Sequence, residues 1–233
     1  MLATMQSSLV THGKPAPTIR FAFVDGIVVV LDFATQNYFA LNEKGSAIWR
    51  AFLDGAEASD DAEARAFLDE CRYRGLIIDD DKCAPAPPNV SRAGKSPPAF
   101  ASAGLWTPLA ITCLWRAARQ LRVRGFAAVH AMHLALDARL PAGRPAADLD
   151  DALPAFYRGE SVVPMPGAPD DCLPRSLALF AYLRSLGFAA VHLIGVRRYP
   201  SLTMHAWVEV DGRVVADRTT SKEFVVLVNI GPR

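Results

Sequence analysis

No uninterrupted apolar run in this 233-residue sequence reaches the roughly 20 residues that a bilayer-spanning helix needs. The most apolar region, FASAGLWTPLAITCLWRAARQLRVRGFAAVHAMHLAL at 100–136, is broken by Arg116, Arg119, Arg122 and Arg124. It reads as two helices of a water-facing domain, and membrane association is not expected. An excess of charge is lacking too: 25 Lys and Arg against 24 Asp and Glu leave a formal charge of +1, which gives no overall pull toward nucleic acid or lipid. Cysteine is sparse. Cys71, Cys83, Cys113 and Cys172 form no CxxC pair, which excludes the disulfide framework of a small secreted chain and suits a reducing compartment. The opening MLATMQSSLVTHGKPAP has no basic start followed by an apolar run, so no secretory signal is expected and the expected location is cytoplasmic.

What the sequence does contain is a hairpin with chemistry on it. MHAWVEVDGRVVAD, residues 204–217, is two alternating strands around Asp211-Gly212, with His205 near one end and Asp217 near the other. A two-residue loop would pair His205 with Arg218 and send Asp217 to the opposite face. A three-residue loop, Val210-Asp211-Gly212, pairs Glu209 with Arg213 and His205 with Asp217. The second register is expected, because it groups Ala206, Val208, Val210, Val214 and Ala216 on one apolar face. Opposed residues lie roughly 5 Å apart at Cβ, close enough for a carboxylate to orient an imidazole.

Upstream, PDDCLPRSLALFAYLRSLGF at 169–188 reads as a helix. Asp171 can cap it, Pro174 suits the first turn and Gly187 ends it. Leu173, Leu177, Phe180 and Leu183 or Leu186 form the expected core stripe. Cys172 then lies in the first turn, where the helix dipole and free N–H groups favour an anion and can also donate to an oxyanion. Cys172, His205 and Asp217 thus make a candidate nucleophile, base and orienter. Trp106, Trp115 and Trp207 are candidates for a further oxyanion donor.

Cys, His and Asp in that chain order, with DCLPRSLALFAYLRSLGF followed by HAWVEVDGRVVAD, resemble the transglutaminase-like, papain-related cysteine hydrolase core. More narrowly, they resemble the leader peptidases, or B proteins, of lasso peptide biosynthesis. The resemblance spans roughly residues 100–233 and implies an α+β cysteine protease domain.

APAPPNVSRAGKSPP, residues 84–98, has five prolines and no apolar periodicity, and reads as a linker. The expected division is a domain over 1–84, a Pro-rich linker over 85–98 and a domain over 99–233. Ahead of the linker, strands are expected at about 19–24, 27–33 and 37–41, with Asp25-Gly26 and Thr35-Gln36 as turns. A helix capped by Asn42 should run to Gly55, and another over about 60–74 should bury Ala64, Phe67, Leu68 and Cys71. LIIDDD should close the domain as a strand.

A three-stranded sheet with helices in this order has winged-helix character, but residues 1–85 hold 13 acidic and 8 basic residues, the wrong sign for phosphate contacts. No nucleic-acid partner is expected. GIVVVLDFATQNYFALNEKGSAIWRAFLDG instead resembles the PqqD-like recognition element of peptide-modifying enzymes. That resemblance implies that a leader peptide adds as a strand along Asn37, Tyr38, Phe39, Ala40 and Leu41, facing Arg65, Leu68 and Arg72 of the last helix.

Together the resemblances imply a leader peptidase that cleaves a lasso precursor at the leader–core junction, after a Thr in the next-to-last leader position, and passes the core to an asparagine-synthetase-like cyclase. Cyclisation and its ATP belong to that partner, and no cofactor is implied for this chain. His130 and His133 lack a third ligand at a familiar spacing. They read as a buried or snorkelling pair, and no metal is expected. Residues 92–144 carry eight Lys or Arg against Asp137 alone, either as a solvated face or as a surface for an acidic partner or anionic lipid. Two other functions fit the residues: glutamine amidase or acyl transfer by the same triad, and leader binding without catalysis.

Overall fold

The computed structural model describes residues 13–55, 61–79, 103–139, 145, 148–163, 172–217 and 221–231. Contacts divide the chain into two compact units, Met1–Asp32 with Tyr38–Ser91, and Phe33–Asn37 with Arg92–Arg233. The expected linker, Cys83 and Asp171 lie outside the described residues.

In the first unit, strands β2 (Ile19–Val24), β3 (Ile27–Asp32) and β4 (Asn37–Ala40) form a sheet in that order. β2 and β3 pair antiparallel with Val24 opposite Ile27. Asp25 and Gly26 both have positive φ, 48° and 82°, the backbone that a two-residue type I′ turn demands. Helix α1 (Glu43–Leu53) starts where the Asn42 side chain accepts from the Gly45 N–H at 2.7 Å. Ser46 on α1 is buried, and its Oγ accepts from the Val28 N–H at 2.9 Å, tying the helix to the middle strand. Helix α2 (Ala62–Tyr73) is capped by Asp61. Trp49, Val28, Val30, Leu68 and Cys71 are the centre of this unit's core.

Strand β5 (Ile77–Asp79), the expected closing strand, pairs antiparallel with β1 (Gly13–Pro15), a strand that was not expected. A strand of three residues, one of them proline, carries too little alternation to be read. Leu68, expected on the inner side of α2, is buried at 5% exposure in this unit's core. The reason is its spacing: Leu68 repeats the buried positions Ala64 and Cys71 at i−4 and i+3.

The second unit places helices α3 (Trp106–Arg139), α4 (Leu149–Val162) and α5 (Cys172–Ser185) with a sheet of order β8-β7-β6-β9. Its strands are β6 (Ala190–Arg197), β7 (Thr203–Val210), β8 (Arg213–Val215) and β9 (Val225–Ile230). α3 is two helical segments joined at Gly125, whose φ of 73° and ψ of 171° only glycine adopts easily. Among the described residues no helix is long and apolar enough to cross a membrane. Arg116, Arg119 and Arg122 are exposed on the first segment, with the Arg119 guanidinium over the Trp115 ring.

α5 ends in a Schellman motif: the Gly187 N–H donates to Arg184 O and the Phe188 N–H to Leu183 O. Leu177, Phe180, Leu183 and Leu186 are buried as expected, but so are Ala178, Leu179 and Tyr182. The helix is enclosed by α3, the sheet and α4, so burial reaches well past one stripe. Leu173, at the helix start, is only part-buried.

The hairpin register is the main correction. β7 and β8 pair Val210 with Arg213, Glu209 with Val214 and Val208 with Val215, a two-residue loop with Asp211 at φ 51° and Gly212 at φ 73°. Asp-Gly supplies the type I′ backbone, which matches strand twist better than the expected bulged loop. Val215 therefore joins Val208, while Val214 joins Leu193, Trp207 and Phe224 in a small apolar cluster.

His130, His133 and His192 are all buried. His192 Nε2 bonds Ser176 Oγ at 2.9 Å, and its Nδ1 has no partner among the described residues. Burial pushes His192 down to about 3, with the nearby His133 and His130 adding to the effect, and burial also pushes His133 down. Because the folded values lie below the unfolded value, the unfolded chain takes up protons first. Stability is full above pH 6.5 and falls as the pH drops from there toward about 3. Urea midpoints should decrease from about pH 7 to about pH 5, and His192→Asn should flatten that slope; an unchanged slope would clear His192 of the effect.

Candidate active site

Three local decisions assemble the site. The α5 start projects Cys172, Arg175, Ser176 and Leu179 along one helix face, at i, i+3, i+4 and i+7, into a cleft of about 700 Å³. β7 brings His205 to the same cleft. The third decision is at Ala216. β8 leaves the ladder at Val215, and Ala216 turns into the left-handed region at φ 57°.

That turn reverses the consequence of the two-residue loop. Straight continuation would carry Asp217 to the far face, as the alternation rule requires. Instead His205 Nε2 donates to Asp217 Oδ2 at 2.5 Å, both side chains being largely buried at 16% and 14% exposure. The contact expected from the sequence is present, but it is made by a break in the strand and not by a three-residue loop.

The same break frees a donor. With β8 ending at Val215, the Ala206 N–H has no strand partner on that side and donates to Cys172 Sγ at 3.3 Å. The thiol also hydrogen bonds His205, which raises the imidazole above its ordinary value; the bond to Asp217 acts the same way and burial opposes both. Nε2 is committed to Asp217, so Nδ1 is the nitrogen left for sulfur. An imidazole beside both a carboxylate and a thiol, with a backbone donor on the sulfur, can serve nucleophilic attack on an acyl carbon.

Aromatic rings hold the imidazole in place. Trp207 stacks alongside His205 at 6.0 Å and 11°, and Phe224 lies 5.5 Å away. Gly195 is directly opposite His205 on β6. A Cβ there would stand 2.8 Å from Trp207 Cη2 and 2.9 Å from Phe224 Cβ, so only glycine leaves room for the indole. Trp207 Nε1 donates to Glu209 at 2.9 Å, which takes it away from an oxyanion role. Trp106 is buried on α3 and Trp115 is 58% exposed there, and neither lines the cleft.

Of the residues expected to bind peptide, Tyr38 and Ala40 are exposed on β4 and Asn37 is exposed at its start, while Phe39 and Leu41 turn toward the core. Arg65 is exposed and Arg72 pairs with Asp69 and Asp79. Sequence reasoning missed Tyr157 and Glu160 of α4, which line the cleft that holds Cys172, His205 and Asp217. LDDALPAFYRGESV does carry the helical signal, since Ala152, Ala155, Phe156 and Gly159 are buried at i, i+3, i+4 and i+7. A second cleft of about 410 Å³ between α3 and α5 contains Cys113, but burial pushes that thiol up to about 12. Among the described residues no cluster of His, Cys, Asp or Glu is arranged to hold a metal.

The transglutaminase-like superfamily model matches residues 114–229, so the C-terminal part of the chain carries a transglutaminase-like domain. Such domains are typically cysteine-based enzymes. The match runs from α3 to β9 and includes Cys172, His205 and Asp217. No curated protein and no solved structure matches the chain.

Two measurements test the site without a substrate. At neutral pH iodoacetamide should label Cys172 ahead of Cys71 and Cys113, whose thiols burial pushes up to about 11 and about 12; peptide mapping that finds equal labelling would remove Cys172 as the nucleophile. Gly195→Ala, by displacing Trp207, should slow that labelling about 10- to 100-fold, and an unchanged rate would show that the stacked indole does not hold His205.

Proposed function

We propose that the chain is a cysteine peptidase that binds the leader of a ribosomally made lasso precursor and cuts it at the leader–core junction, before a partner asparagine-synthetase-like cyclase closes the macrolactam. The observation that carries the chemistry is the Asp217–His205 contact of 2.5 Å beside a thiol at the start of α5. Cys172 Sγ attacks the junction carbonyl, and the oxyanion is met by N–H groups of the first turn of α5. His205 gives its proton to the departing amine, leaving a thioester. Water then loses a proton to His205 and attacks that thioester, which releases the leader carboxylate and restores the thiol. Asp217 holds the imidazole by Nε2 throughout.

Recognition of the leader is assigned to the first unit. Among the described residues β4 is the last strand of its sheet. The Leu41 N–H donates inward to Val28 O at 2.8 Å, so by alternation the N–H groups of Tyr38 and Ala40 face outward. They are available to an added peptide strand. Tethering the leader there raises the concentration of the junction at the cleft.

Mass spectrometry of a lasso-type precursor incubated with the protein, with and without the cyclase, should find one cut at the leader–core junction that Cys172→Ala abolishes. Ala40→Pro removes an outward N–H from β4 and should slow that cut about tenfold or more, a loss of about 1.4 kcal/mol, while leaving Cys172 labelling unchanged. Loss of ammonia from a glutamine with no cut would favour the amidase reading. Binding without any reaction would make the chain a leader carrier.

A further inference from the structure

Ala216 poses a physical problem that the catalytic groups do not solve. A non-glycine residue in the left-handed region brings its Cβ too close to the following carbonyl, and such conformations persist only where surrounding contacts dictate them. Asp217 follows immediately, so whatever holds Ala216 also aims the carboxylate.

The holding contact comes from α5 and α4. Arg175 Nη1 donates to Ala216 O at 2.6 Å. The same guanidinium grips Glu160 with two bonds, Nε to Oε1 at 2.5 Å and Nη2 to Oε2 at 3.1 Å. This forked geometry fixes the plane of the guanidinium, and with it the direction from which Nη1 meets the carbonyl. Arg175 is one turn from Cys172 on the same helix face, so a single turn of α5 sets both the nucleophile and the strand break that orients its base. Both partners are partly buried, at 33% and 23% side-chain exposure, and line the cleft beside Asp217.

We propose that the Glu160–Arg175 pair is a positioning device for the acyl-transfer site, clamping the Ala216 carbonyl in its left-handed turn so that the Asp217 carboxylate meets His205. Arg175 acts through the backbone and does not touch the reacting atoms, and Glu160 acts through Arg175. An arginine is required over a lysine, because a point ammonium cannot hold a carboxylate with two bonds and a carbonyl with a third in one plane. The inference rests on the Cys172–His205–Asp217 reading of the site.

The test needs no peptide. The rate of Cys172 alkylation by iodoacetamide, followed against pH in the full-length protein, has an inflection where His205 loses its proton. Asp217 raises that inflection, so Asp217→Asn should move it down by about 1 unit or more. Arg175→Gln should move it down by at least half as much, and Arg175→Lys should fall between Arg175→Gln and wild type. Circular dichroism confirms that each variant is folded. If Arg175→Gln does not fold, Glu160→Gln carries the same test, since it keeps the side chain's shape while removing the charge that fixes the fork. A downward shift in either variant supports the clamp. An inflection at the wild-type position in a folded Arg175→Gln, or in Glu160→Gln where the arginine variant fails, overturns it while Asp217→Asn still shifts. Should Asp217→Asn also leave the inflection in place, the triad reading itself is what fails.

Discussion

The left-handed turn at Ala216 is the constraint on which the site depends. It ends the β7–β8 ladder three residues short of His205's level, and two results follow from that one act. The carboxylate of Asp217 is carried to the face that holds the imidazole, and the Ala206 N–H is left without a strand acceptor, so that it points at Cys172 Sγ. Had β8 run on in register, Asp217 would face away and the N–H would be spent in the sheet.

Around that turn the second unit behaves as a frame of rigid parts. α5 is enclosed on several sides, which fixes the direction of its first turn far better than a surface helix could. The sheet offers one face to α5, while its other face is covered by Leu193, Trp207 and Phe224. Gly195 lets the indole lie flat beside His205. The imidazole is thereby packed between rings, bonded on one nitrogen and free to serve the thiol with the other. A transglutaminase-like match from α3 to β9 fits this arrangement.

Much of the first unit was legible because its signals are local. Asp25-Gly26 between apolar alternations, Asn42 ahead of α1, and the Ala64, Leu68, Cys71 spacing each specify an element within a few residues. β1 was not legible, since three residues paired with a strand more than 60 positions away carry no pattern of their own. In the second unit, Cys172, His205 and Asp217 could be picked out by residue type and order, yet the last two meet through a break in the strand and not through the expected three-residue loop. Alternation treats a strand as continuous, and a single alanine at positive φ breaks that assumption without any compositional sign.

The sequence by itself therefore determined which residues are candidates for the chemistry, where the hairpin reverses around Asp211-Gly212, and the helix that begins at Cys172. These follow from side-chain chemistry and short-range periodicity. Only the tertiary structure decided that Asp217 faces His205, that Trp207 gives its N–H to Glu209, and that Glu160 and Arg175 grip the Ala216 carbonyl. Each of those depends on groups separated in the chain and brought together by packing, and on a backbone conformation that alanine adopts only when its surroundings impose it.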